Sequence, residues 1–64
     1  MYEIVVVGRA ERTLRIALDG LIDEWCQGSE PAMLRLVIDD QSRMVAVIDR
    51  LHGLGISIDH VRQL

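Results

Sequence analysis

The apolar pattern of this chain changes its period at Gly55, and this change constrains the fold more than any other feature. Before Gly55, apolar residues recur at helical spacing and form one stripe. After it, Ile56-Ser57-Ile58 alternates, which is typical of a strand. The sequence therefore predicts a main helix that ends at Leu54, left-handed backbone at Gly55 and a strand from Ile56. The predicted stripe consists of Met44, Val47, Ile48, Leu51 and Leu54.

The pattern along the chain predicts a total of six elements. Runs rich in β-branched residues predict strands, and apolar residues at helical spacing predict helices. Gly8 closes the first strand and Gly20 the first helix, because glycine tolerates the backbone of a turn. The predicted elements are a strand at 2–7, a helix at 9–19, strands at 21–27 and 32–38, the main helix, and a strand at 56–62.

This order predicts a single α+β domain over 1–64 with the ferredoxin-like βαββαβ plait. Right-handed crossovers give a four-stranded antiparallel sheet in the order 4-1-3-2, with both helices on one face. The first and third strands are central in this order and are the most apolar. Acidic residues in the second strand favour an edge position. In the last strand, a bulge near Asp59-His60 brings Val61 to the same face as Ile58.

Length, charge and cysteine content narrow the class of protein. A chain of 64 residues buries only about 60% of its unfolded surface, so oligomerisation is the expected way to extend its core. One cysteine excludes an internal disulfide, and a net charge of −3 argues against nucleic acid as a partner. No apolar run approaches the roughly 20 residues of a membrane span, and no signal peptide is visible. We expect a cytoplasmic protein without a membrane partner, and arginine without lysine indicates a GC-rich bacterial genome.

The side chains that could serve catalysis or metal binding have simpler structural explanations. The adjacent acids Asp39-Asp40 suit the positive start of the main helix better than a cation site. Ser57, Asp59 and His60 are neighbours in one extended segment, where a triad cannot form because each group must reach the next. Cys26 has acidic neighbours, whereas a reactive thiol needs positive charge. We therefore expect no catalytic residue, no cofactor and no metal site, and hence no enzyme.

A set of core and cap residues spread over most of the chain carries a family resemblance. The set is Tyr2-Glu3-Ile4-Val5-Val6, Gly8, Ala17-Leu18-Asp19-Gly20-Leu21, Asp40-Gln41, Val45, Ile48-Asp49-Arg50-Leu51, Leu54-Gly55-Ile56, Ile58 and Val61. This pattern resembles a family of short uncharacterised bacterial proteins. The resemblance implies the plait fold, and it implies no activity and no functional residues because none is assigned to that family.

The leading functional hypothesis is a small non-enzymatic domain that forms a homodimer or larger homo-oligomer, or that docks on a protein partner. The helices of a plait cover one face of the sheet, and the two central strands are apolar on both faces. Arg35 needs a carboxylate partner on the open face, and Glu3 is the nearest candidate. The predicted interface consists of Val5, Val7, Met33, Arg35 and Val37, with Trp25 as the next site.

Two alternatives remain at this point. Trp25 either covers the margin of the core or anchors a partner, since tryptophan is enriched at interface hot spots. Gly8-Arg9 follows the first strand and resembles the loop at which ACT-like domains bind amino acids. The second functional hypothesis is therefore a module that senses a small-molecule ligand.

Overall fold

Four strands and two helices form over residues 1–7 and 11–64, the part of the chain that the computed structural model describes. They are β1 (Tyr2–Val7), α1 (Glu11–Ala17), β2 (Glu24–Gln27), β3 (Met33–Ile38), α2 (Gln41–Gly53) and β4 (Ser57–Gln63). The strands pair antiparallel in the order β2-β3-β1-β4. The predicted α+β ferredoxin-like plait is confirmed. The predictions for Gly8, Arg9 and Ala10 lie outside the described residues.

The core lies between the helices and one face of the sheet. Alternate residues of the central strands point to this face because side chains alternate along a strand. Leu14 of α1 and Leu18 just after it meet them from one side, and α2 supplies Val47 and Leu51. Each fully buried aliphatic side chain contributes roughly 1.5–3 kcal/mol to folding. The sheet residues of this cluster are Ile4, Val6, Leu34, Leu36 and Ile38.

The edge strand β2 is shorter than predicted. It was expected over 21–27 and spans Glu24–Gln27. Leu21 and Ile22 are partly buried against the core, but Leu21 belongs to the turn that follows α1 and Ile22 lies directly after that turn. The Asp23 side chain accepts a hydrogen bond from the backbone N–H of Asp39 at 2.6 Å. This contact holds the segment directly before the strand.

The main helix α2 has a well-defined cap at each end. The Asp40 side chain accepts the backbone N–H of Arg43 at 2.9 Å, as an N-cap residue does. At the other end, Gly55 has φ of 72°, and its N–H donates to the carbonyl of His52. The N–H of Ile56 donates to the carbonyl of Leu51, which completes a Schellman motif. The left-handed conformation predicted for Gly55 is confirmed.

The apolar stripe of α2 ends one turn earlier than predicted. Leu54 was expected to pack inward, but it is exposed. It is the C-cap residue, and the chain turns away from the helix axis directly after it. Ile56 takes its place and packs against the core beside Leu51.

The last strand contains the predicted bulge. The pairing of β4 with β1 shifts register between Val5 and Val6, which lie opposite His60 and Ile58. Asp59 is therefore the extra residue. Because of this insertion, Ile58 and Val61 both point to the helix side of the sheet, opposite Val6 and Ile4.

We expect opposite effects from alanine at the two glycines that end α2. Gly55→Ala should destabilise the fold by about 1 kcal/mol, because a side chain disfavours positive φ although nothing lies within 4 Å of the added Cβ. Gly53→Ala should stabilise it by roughly 0.5–1 kcal/mol, because this glycine is helical and equally uncrowded. Denaturant unfolding measures both. A neutral Gly55→Ala would contradict the cap.

Candidate functional site

The face of the sheet away from the helices is built around one buried carboxylate. Glu3 lies on the central strand β1 and is only 1% exposed. One of its oxygens accepts a hydrogen bond from Nε of Arg35 on β3 at 2.8 Å. The other accepts Nε of Arg62 on β4, also at 2.8 Å. The carboxylate thus joins three neighbouring strands, and Glu3 is the partner predicted for Arg35.

The environment of Glu3 favours its charged form. Hydrogen bonds from Arg35, and then from Arg62, lower the pKa of this carboxyl against the opposing effect of burial. The pKa of Asp23 is lowered in the same way, first by the hydrogen bond from the backbone N–H of Asp39 and then by the hydrogen bond from Arg43. Both carboxylates therefore stabilise the fold at neutral pH.

We expect Glu3→Gln to destabilise the protein at pH 7 by about 1.5–3 kcal/mol, the range for hydrogen bonds to charged groups. The folded-state pKa of Glu3 is lowered from its usual value of 4.5. Glu3 therefore makes its complete contribution to stability when the pH lies well above 4.5. This contribution is lost as the pH falls below that value and through the folded-state pKa.

Urea unfolding between pH 7 and pH 3 tests this expectation. The wild-type protein should lose stability over that range more steeply than Glu3→Gln, because the variant lacks the acid-sensitive contribution of Glu3 but keeps that of Asp23. Glu11→Gln is the matched control, because Glu11 pairs with Arg15 in an exposed ion pair. Equal acid sensitivity of wild type and Glu3→Gln would contradict the role given to Glu3.

The open face has less apolar surface to offer a partner than the sequence suggested. Val5 and Val37 are each only 5% exposed in the single chain. Val5 lies in register between Arg35 and His60, and their long polar side chains flank it. Val7 at 42% exposure and the partly exposed Met33 remain as apolar surface on this side. The role of these residues as an interface stays a prediction.

Trp25 lies on the other side of the sheet from these residues. It is opposite Leu36, so it faces the helices, and it packs against the edge of the core. The guanidinium carbon of Arg15 on α1 lies 4.8 Å from the centre of its ring, within the range of a cation–π contact. The structure therefore separates Trp25 from the other five predicted interface residues.

In the described part of the chain, the side chains that could act in catalysis or metal binding make local contacts instead. Burial, together with the Glu24 carboxylate, raises the pKa of the Cys26 thiol, which makes it a weaker nucleophile at neutral pH. His60 Nδ1 lies 2.8 Å from Asp59 Oδ2, and both side chains are about half exposed. Over residues 1–7 and 11–64, no group of three or more His, Cys, Asp or Glu side chains is placed to hold a metal ion.

An apolar groove lies between α2 and β4 on the helix side, and the sequence pattern did not predict it. It has a volume of about 490 Å³. Val45 is 58% exposed on its helix wall. Val61, 42% exposed, is not a lining residue but lies on the same side of β4 as Ile58. Val45 lies off the inward stripe, and this was the available sequence signal. We call this surface the α2–β4 groove; it is lined by Val45, Ile48, Asp49, His52, Ile56 and Ile58.

The groove lies beside the longer free edge of the sheet. Both β2 and β4 are edge strands, with four and seven residues respectively. The short β2 edge is the kind that natural sheets use to limit pairing with other chains. The β4 edge is long, and its helix side carries Ile58 and Val61 next to the groove.

No family model, curated protein or solved structure matches this chain significantly. In the described residues, no helix is long and apolar enough to cross a membrane.

Proposed function

We propose that this protein is a small non-enzymatic domain that acts by self-association, and that the α2–β4 groove is its interaction surface. One observation carries the proposal: the exposed Val45 of a helix and the partly buried Ile58 of an edge strand line a single apolar depression. Apolar surface concentrated in this way usually marks a site of protein interaction.

The composition of the groove supports this proposal. Val45, Ile48, Ile56 and Ile58 supply apolar surface, whereas Asp49 and His52 are the polar lining residues. An apolar centre with a polar rim is the usual anatomy of a protein interface. On the open face, Val5 and Val37 are already covered and gain little from further burial.

The side chains that resemble catalytic groups support a non-enzymatic role. Cys26 has a raised pKa, and the Glu3 carboxylate is saturated by two arginines. His60 contacts the residue next to it in the chain. These contacts serve the stability of the fold.

A small-molecule sensor is the second candidate, and one observation favours it. The open face contains a depression of about 520 Å³. Arg35 and Arg62 line it and are partly exposed beyond their contacts with Glu3, so an anionic group has donors available there. A thermal-shift screen with amino acids and nucleotides tests this candidate, because a ligand that binds the folded state raises the melting temperature.

We expect Val45→Glu to dissociate the oligomer, because it places a charge on the exposed helix wall of the groove. Val7→Glu is the matched control: the same substitution at an exposed valine of the open face should leave the oligomer intact. Both variants should stay folded, with stability changes within about 1 kcal/mol, since both side chains are exposed.

Light scattering after size exclusion measures the oligomeric state, and circular dichroism checks the fold. A wild-type protein that is monomeric at about 100 μM would contradict self-association. At this concentration even a weak association free energy of roughly 5–6 kcal/mol is detected. Dissociation by Val7→Glu but not by Val45→Glu would move the interface to the open face.

A further inference from the structure

We propose that the α2–β4 groove is filled by a second copy of this chain, and that the two copies pair antiparallel through β4 around a twofold axis at Val61. This inference rests on the proposed function and specifies its partner and register. Eight strands would then form one continuous sheet, with α2 of each copy on the same side.

The free hydrogen-bonding groups of β4 support this register. The N–H of Leu64 donates to the carbonyl of Met1 at 2.9 Å, which continues the pairing of β4 with β1. In an antiparallel ladder, alternate residues direct their N–H and C=O groups towards the same neighbour. Arg62 therefore bonds to β1, whereas Val61 and Gln63 direct their backbone groups outward.

A twofold axis at Val61 uses these outward groups. Val61 of each copy faces Val61 of the other, and the two residues exchange both backbone hydrogen bonds. Such strand addition at a free edge is a common recognition mode. Because residues at equal distances from the axis share a face, the sheet sides of the two copies match without a change of register.

The side chains also match in this register. The Val61 pair lies on the helix side, next to the apolar wall of the groove, and is 42% exposed in the single chain. His60 of one copy lies opposite Arg62 of the other on the open face. When His60 Nδ1 donates its proton to Asp59, at 2.8 Å, Nε2 is free to accept a hydrogen bond from that guanidinium.

The second copy fits the groove better than an isolated strand would. A lone peptide strand would satisfy the backbone of β4 but would leave Val45 and Ile48 on the helix wall uncovered. A second copy brings its own α2 to that wall. The same apolar residues then cover each other, which is what a self-complementary twofold interface requires.

Cross-linking at the axis tests the register. With Cys26→Ser removing the native thiol, Val61→Cys should form a covalent dimer under mild oxidation. Hydrogen-bonded antiparallel residues have Cα atoms about 5.5 Å apart, within the roughly 4.4–6.8 Å that a disulfide spans. Val7→Cys in the same background is the control, because Val7 is equally exposed and lies away from β4's free edge. It should stay monomeric on a non-reducing gel.

A second variant and an exchange measurement complete the test. Val61→Lys should raise the dimer dissociation constant more than about tenfold, because lysine on an edge strand opposes pairing. The circular-dichroism spectrum should not change. Hydrogen exchange at the amides of Val61 and Gln63 should slow as the protein concentration rises, whereas exchange at Trp25 and Gln27 on the other edge should not.

The outcomes separate the two proposals. A wild-type oligomer with a Val61→Cys cross-link and concentration-dependent protection of β4 supports both. An oligomer that neither cross-links at residue 61 nor responds to Val61→Lys overturns this register and leaves the groove proposal standing. A wild-type monomer overturns both.

Discussion

The buried carboxylate of Glu3 allows this two-layer fold to leave one face of its sheet in water. It joins β1 to β3 through Arg35 and to β4 through Arg62. The side chains of these two arginines stay partly exposed, so they present polar groups to water above the apolar residues of this face. Val5 is covered within the single chain as a result. On the helix side, a separate apolar groove lies where α2 meets β4.

Much of the fold could be predicted because it depends on local periodicity. Alternation in the central strands assigns Ile4 and Leu36 to the core, and the change of period at Gly55 marks the end of α2. The parity of Val61 even required the bulge that shifts the pairing beside Val5. Each of these features is set by neighbours within a few positions, which a single sequence contains in full.

The candidate site was harder to predict because it depends on register between distant segments. Parity assigns Val5 to the open face but does not say that Arg35 and His60 lie on either side of it. The side that Trp25 faces follows only from its pairing with Leu36. Likewise, Val45 becomes one wall of a groove only because the chain returns as β4 beside α2. Such contacts join residues that are far apart in sequence, and local patterns alone do not determine the register that brings them together.

The Schellman motif at the end of α2 also bears on the groove proposed as the interaction surface. Ile56 belongs to the wall of the groove, and its N–H is bound to Leu51 of the helix that forms the other wall. Two residues, Leu54 and Gly55, separate α2 from Ile56, so the two walls have little freedom to move apart. The groove is therefore preorganised. Binding to it would not carry the cost in conformational entropy of ordering its walls. A larger share of the contact energy would then remain as affinity.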